Sequence, residues 1–223
     1  MMVDLIASLK EKYAEETGWS FSFFGFATFS LYLFFVNFLF ENGTGRAWHQ
    51  LLSSGLHDLA VGDSSIFKNA NILEYIISLI SLLATITLYR YFQSKIYDFL
   101  ATIRDMNAYV DRLKKKHSDV VKSGQAMRIY IAKEAASDNK KHMRQVSTLS
   151  GLGLLSISGF IATMPFLLSP DLVNYFSAII CLLIFLAAQW FAFAKYTSQV
   201  LPRIILEKEA RDEAVEFGEG LGE

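Results

Sequence analysis

The residues able to do chemistry are few, and their spacing suits none of the common sites. His49, His57, Asp58 and Asp63 offer the donor atoms a divalent metal takes. Their separations of 8, 1 and 5 put no two of them one helical turn apart, unlike the His-x3-His pair of a zinc site, so no metal is expected. Cys181 is the single cysteine and lies inside an apolar stretch, which excludes a disulfide within the chain and leaves it as a small packed hydrophobe. Glu74 is the one charge near the start of an otherwise apolar stretch. A buried carboxylate there could hold an ion, but Asn71 three residues earlier favours a helix-start role, where an acidic side chain meets the positive end of the helix. His142 could titrate near neutrality, yet its place on a seam recommends a register-fixing role instead. Gly151-Leu152-Gly153 has no strand before it and makes no nucleotide loop. Neither a His-Glu-x-x-His pair nor a nucleophile elbow occurs. Neither catalysis nor a cofactor is therefore expected.

The elements that must hold these residues are apolar. Hydrophobic residues make up 52% of the 223 and charged ones 19%, and the two kinds are segregated into blocks. Segments 19–40, 146–168 and 172–194 carry no charge, and 72–89 carries only Glu74. A bilayer core roughly 30 Å thick needs about 20 apolar helical residues, so these four segments read as transmembrane spans. The first block is too long for a signal-peptide core, and the residues from Phe38 to Glu41 offer no small-residue cleavage site, so it is expected to remain as an anchor. Ser169, Pro170 and Asp171 leave room only for a tight turn between the last two spans, and Pro165 should kink the end of the third.

Basic residues orient the spans. Residues 90–144 hold 13 of the 21 Lys and Arg, whereas 41–71 hold only Arg46 and Lys68 and 169–171 none. With Lys10, Lys12, Lys195, Arg203, Lys208 and Arg211, one side carries 19 and the other two. The richer side is cytoplasmic. The chain then divides into a cytoplasmic amphipathic segment 1–18, spans at 19–40 and 72–89 joined by an outer loop 41–71, a cytoplasmic segment 90–145, spans at 146–168 and 172–194, and an acidic tail 195–223. In the outer loop Trp48, Leu51, Leu52, Leu56 and Leu59 are spaced for a short helix at the membrane interface. Asn42-Gly43-Thr44 matches a glycosylation sequon close to the membrane.

Phe92, Ile96, Phe99, Ile103, Met106, Val110 and Leu113 recur at alternating spacings of 4 and 3, a heptad seam. Nothing after Tyr89 looks like a helix breaker, so the second span is expected to run straight on to about residue 121, ~75 Å of helix in all. Ala132, Ala135, Asn139, His142, Val146, Leu149 and Gly153 repeat the period on the way back, which makes 90–145 a coiled-coil-like helical hairpin turning near Ser123-Gly124. Lys114, Lys115, Lys116 and His117, with Lys122 and Arg128, make its tip basic. A straight helix puts that tip ~37 Å from the membrane, far beyond a Debye length of about 8 Å. The seam residues Phe99, Ile103, Met106, Val110 and Leu113 and the lysines 114–116 are therefore assigned to a cytoplasmic protein partner; nucleic acid is not expected.

Ser147, Gly151, Ser158 and Ala162 share a face of the third span, and Gly159 precedes Thr163 by four. Such small-xxx-small faces let helices approach closely in lipid and point to a homo-oligomer. The fold class is thus an all-α integral membrane protein with four spans, the second and third extended into the hairpin, lying in the inner membrane with both ends cytoplasmic. The expected role is a non-catalytic, homo-oligomeric module that senses a membrane or outer-face event and relays it to a cytoplasmic partner, as phage-defence, exclusion or secretion assemblies require. The alternatives are a self-assembling pore that dissipates ion gradients and an immunity-type membrane protein.

Overall fold

The computed structural model describes residues 23–53, 66–117, 125–168 and 171–211. Every regular element among them is helical: α1 (Phe23–Asn42), α2 (Ala47–Ser53), α3 (Ile66–Asn69), α4 (Ile72–Ile103), α5 (Met106–His117), α6 (Gln125–Thr163), a 3₁₀ segment (Met164–Leu168), α7 (Leu172–Lys195), a π-helical turn (Tyr196–Val200) and α8 (Leu201–Arg211). Four helical stretches are long and apolar enough to cross a membrane: Phe23–Asn42, Ile72–Ile103, Ala126–Leu168 and Leu172–Arg211. Within the described residues, two compact units divide the chain. One comprises 23–91 with 151–188 and is here called the aromatic unit. The other, the basic unit, comprises 92–150 with 189–211.

The aromatic unit is held by rings and by a few buried polar pairs. Phe35 meets Trp48 at 5.3 Å and Phe166 at 5.4 Å, and Phe38 meets Phe166 at 5.8 Å. Each such pair adds about 0.5–1.5 kcal/mol beyond the area it buries. Trp48 of α2, expected to anchor the loop in the membrane interface, is half-buried, and its Nε1 donates to Thr163 Oγ1 at 2.6 Å. Leu56 and Leu59 lie outside the described residues. Asn71 and Glu74 cap α4 reciprocally: Glu74 N–H donates to Asn71 Oδ1 at 3.0 Å and Asn71 N–H to Glu74 Oε2 at 3.3 Å, the two-way arrangement of a capping box. Glu74 is thus a helix-start residue, and it is also buried, 3% exposed, with Asn37 Nδ2 donating to Oε2 at 3.1 Å. Pro165 lacks an N–H and its ring clashes with the preceding turn, so α6 ends at Thr163 and tightens into the 3₁₀ segment. Residues 169 and 170 of the expected turn are outside the described set; Asp171 Oδ1 accepts from Val173 N–H at 3.1 Å at the start of α7.

The basic unit departs from the expected straight helix. Helix α4 stops at Ile103, and α5 begins at Met106 after a break in which Asp105 adopts φ +44°. A non-glycine residue rarely takes that conformation, but aspartate is among the side chains that tolerate it best. Asp105 Oδ1 accepts from Ala108 N–H at 3.4 Å and so starts the new helix. The core lies beyond the break as well as before it: Tyr97, Leu100, Ala101, Met106, Val110 and Leu113 pack with Val146, Ala192, Phe193, Tyr196, Val200, Leu201, Ile204 and Ile205. Burying each large side chain is worth roughly 1.5–3 kcal/mol. Residues 195–211, expected to belong to an acidic tail, are therefore helical, and Leu201, Ile204, Ile205 and Ala210 of α8 are buried. Helix α8 runs antiparallel to α6, with Arg128 against Ala210 and Arg203 against Asp138.

Candidate functional site: a helix junction and a basic end

Two irregular pieces of backbone meet in the basic unit. The break after α4 presents Arg104, whose Nη1 donates to Thr197 Oγ1 at 3.0 Å. The first turn of α5 presents Tyr109, whose hydroxyl donates to the Thr197 carbonyl at 3.1 Å. Thr197 sits in the π-helical turn, is 1% exposed, and its hydroxyl reaches back to the Phe193 carbonyl at 3.0 Å. A π-turn offsets its carbonyls from the α-helical ladder and is common at functional positions. Here one of those offset carbonyls is taken by a tyrosine from α5. One threonine thus ties together the ends of α4, α5 and α7.

At the far end of the unit, the last turn of α5, the first turns of α6 and the last turn of α8 gather. Arg128 Nε donates to the Ala210 carbonyl at 3.1 Å and so joins the start of α6 to the last described turn of α8. The Glu209 carboxylate acts on His117, but burial and then neighbouring Lys116 outweigh it and hold the imidazole below its usual range. Arg128, Ile129, Ala132, Lys133, Ala136, Ala210 and Arg211 line a groove of about 770 Å³ there. Arg211 also pairs with Glu207 at 2.6 Å. A second, smaller recess of about 430 Å³ is lined by residues including Asn139, Lys140, Arg144 and Ser147, and Asn139 Oδ1 is buried in the chain with no hydrogen-bond partner.

The residues singled out from sequence are not gathered in one place. Met106, Val110 and Leu113 are buried in the core, whereas Phe99 and Ile103 are 65% and 64% exposed. The single continuous seam is thus replaced by two faces, because α4 turns Tyr97, Leu100 and Ala101 inward and the break at Asp105 resets the helical phase before Met106. Lys115 and Lys116 are exposed and Lys114 is half-buried at the basic end. On α6 Ser147 is exposed, while Ser158, Gly159 and Ala162 are buried in the aromatic unit. Gly151 and Gly159 are occupied by the chain's own side chains: a Cβ on Gly151 would come within 2.6 Å of Phe24 Cγ, and one on Gly159 within 3.0 Å of Cys181 Sγ. His142 is half-buried on α6 and its Nδ1 has no hydrogen-bond partner. Arg104, Tyr109 and Thr197 were not foreseen. The available signal was the apolar run Phe193, Tyr196, Val200 and Ile204, whose spacings of 3, 4 and 4 continue past the last apolar block. Among the described residues, no group of three or more His, Cys, Asp or Glu side chains could hold a metal. Comparisons with protein-family models, curated proteins and solved structures return no match.

Proposed function

We propose that this protein is a non-catalytic inner-membrane module that transmits a membrane or outer-face event to a cytoplasmic protein partner. In this reading four spans cross the bilayer, both chain ends are cytoplasmic, and α4 with α5 and α6 form the cytoplasmic hairpin. The observation that carries it is continuity. Helices α4, α6 and α7 each supply residues to both compact units, and in the relay these continuous helices would carry the displacement of a span. Large exposed apolar side chains support the lipid-facing role: Ile72, Ile76, Ile80 and Leu83 on α4, and Phe176, Ile180, Leu183 and Phe191 on α7. Patches of that size suit a bilayer and not water. The Arg104–Thr197–Tyr109 junction is the coupling point, since two of the continuous helices end there. Homo-oligomerisation remains part of the proposal, with the exposed Phe92, Phe99 and Ile103 on α4 as its surface in place of the small-residue face of α6. The test is a pair of variants, Arg104→Ala and Thr197→Val, assayed for capture of cytoplasmic partners by the full-length protein in its native host. The relay predicts normal membrane insertion with loss of partner or of cellular activity, and full activity in both variants overturns it.

One observation favours a second reading. Glu74, Ser78 and Thr85 share the buried face of α4, Tyr32 and Thr85 are joined hydroxyl to hydroxyl, and Thr28 Oγ1 is buried without a partner. A polar line inside apolar helices is what a self-assembling pore needs. Conductance of the purified protein in planar bilayers, lost on Thr85→Val, would favour the pore over the relay.

A further inference from the structure

The groove at the basic end has a chemical character that suggests its occupant. Arg128 and Lys133 from α6 and Arg211 from α8, which also pairs with Glu207, put three cations in its lining, and Ile129, Ala132 and Ala210 add apolar surface. More positive charge stands at the same end on the last turn of α5, where Lys114, Lys115 and Lys116 precede His117, itself within the electrostatic reach of Glu209 on α8. A groove lined by both cations and apolar side chains suits a short peptide that carries carboxylates and a few apolar side chains.

The chain itself contains such a segment. Residues 212–223 carry Asp212, Glu213, Glu216, Glu219 and Glu223, no lysine or arginine, and the apolar Val215, Phe217 and Leu221. They follow directly on Arg211, which lines the groove. Tethering at that point raises the local concentration of the segment to the millimolar range, on the order of what a short flexible linker supplies. We propose that the groove between α6 and α8 is an acidic-peptide site whose resident occupant is the chain's own segment 212–223. The inference does not depend on the relay reading, because a pore would carry the same groove and the same tail.

Crosslinking in the full-length protein tests it. With Cys181→Ser as background, Glu216→Cys is combined either with Ala136→Cys, an uncharged position in the groove, or with Ser137→Cys, the exposed neighbour one residue away that does not line it. A short bismaleimide should join the 136–216 pair within one chain at least about fivefold faster than the 137–216 pair, an advantage set by local concentration. In about 1 M salt, where the Debye length falls to about 3 Å, that preference should disappear. Arg128→Glu should remove it at low salt as well. Equal rates at the two positions, or a preference that survives high salt, would overturn the proposal. Adducts formed only between two chains would overturn it too, in favour of a neighbouring copy's tail.

Discussion

At Gly151 the missing Cβ is what lets Phe24 of α1 lie against α6, since a methyl group there would come within 2.6 Å of Cγ of that ring. Overpacking of this kind costs about 1–3 kcal/mol, while alanine's better helix propensity returns only about 1 kcal/mol. Gly151→Ala should therefore lower the thermal midpoint of the detergent-solubilised protein, and adding Phe24→Ala should restore much of it. At Gly159 the nearest atom is Cys181 Sγ at 3.0 Å, a single side-chain contact that can give slightly, so Gly159→Ala should be close to neutral. Equal losses at both glycines would contradict the packing argument. His117 makes a prediction of the opposite chemical kind. Burial, then Lys116, lowers its pKa below the ordinary 6.5, so on acidification the unfolded chain takes up the proton first. Its contribution to stability is then complete above pH 6.5 and is lost as the pH falls below that value. His117→Gln should flatten the acid side of a melting-temperature profile; an unchanged slope would show that the imidazole does not matter.

Among the elements, the break between α4 and α5 matters most. It rests on one residue that holds a positive φ and whose carboxylate meets Ala108 N–H. Asparagine can do both, alanine neither, so Asp105→Asn should be mild and Asp105→Ala should cost about 1–2 kcal/mol from the lost cap and the left-handed strain. If the alanine variant is as stable as the parent, the break is imposed by the surrounding core and not by Asp105. Met106, directly after the break, is 2% exposed. Met106→Asp would bury an unpaired charge at a cost of several kcal/mol, and should unfold the basic unit, read as rapid proteolysis within 92–150. The same substitution at the exposed Ile103 should leave the fold intact. Together the two variants separate a structural residue from a surface one on what the sequence presents as a single stripe.

For the whole molecule, the expectation is a multi-pass protein with the basic residues of 90–144 on the cytoplasmic side. In intact cells, Ser53→Cys should react with an impermeant maleimide and Lys116→Cys should react only after the membrane is opened, each in a Cys181→Ser background. The reverse pattern would invert the topology and with it the direction of any relay. Met106→Asp also divides the two functional readings. A relay loses its output when the basic unit unfolds, whereas a pore lined by 23–91 and 151–188 keeps conducting.

How much of this was legible in the sequence depends on the range of the forces involved. The four apolar stretches and the helical class follow from composition and period, because hydropathy is local and a charge-free run of about 20 residues has few alternatives. The Asn71–Glu74 cap was legible for the same reason: donor and acceptor are three residues apart. The heptad period from Phe92 to Leu113 is real, yet it could not say which face is buried, since that depends on what packs against it. Tertiary structure put Tyr97 and Leu100 inside and Phe99 outside, broke the helix at Asp105, and brought α8 across from the far end of the chain to complete the core. Thr197 meets Arg104 across 93 positions, and no local pattern encodes a contact of that separation. The small residues of α6 were visible as a close-approach face, but only the fold showed that Phe24 and Cys181 of the same chain fill it, because a missing side chain specifies room and not its occupant.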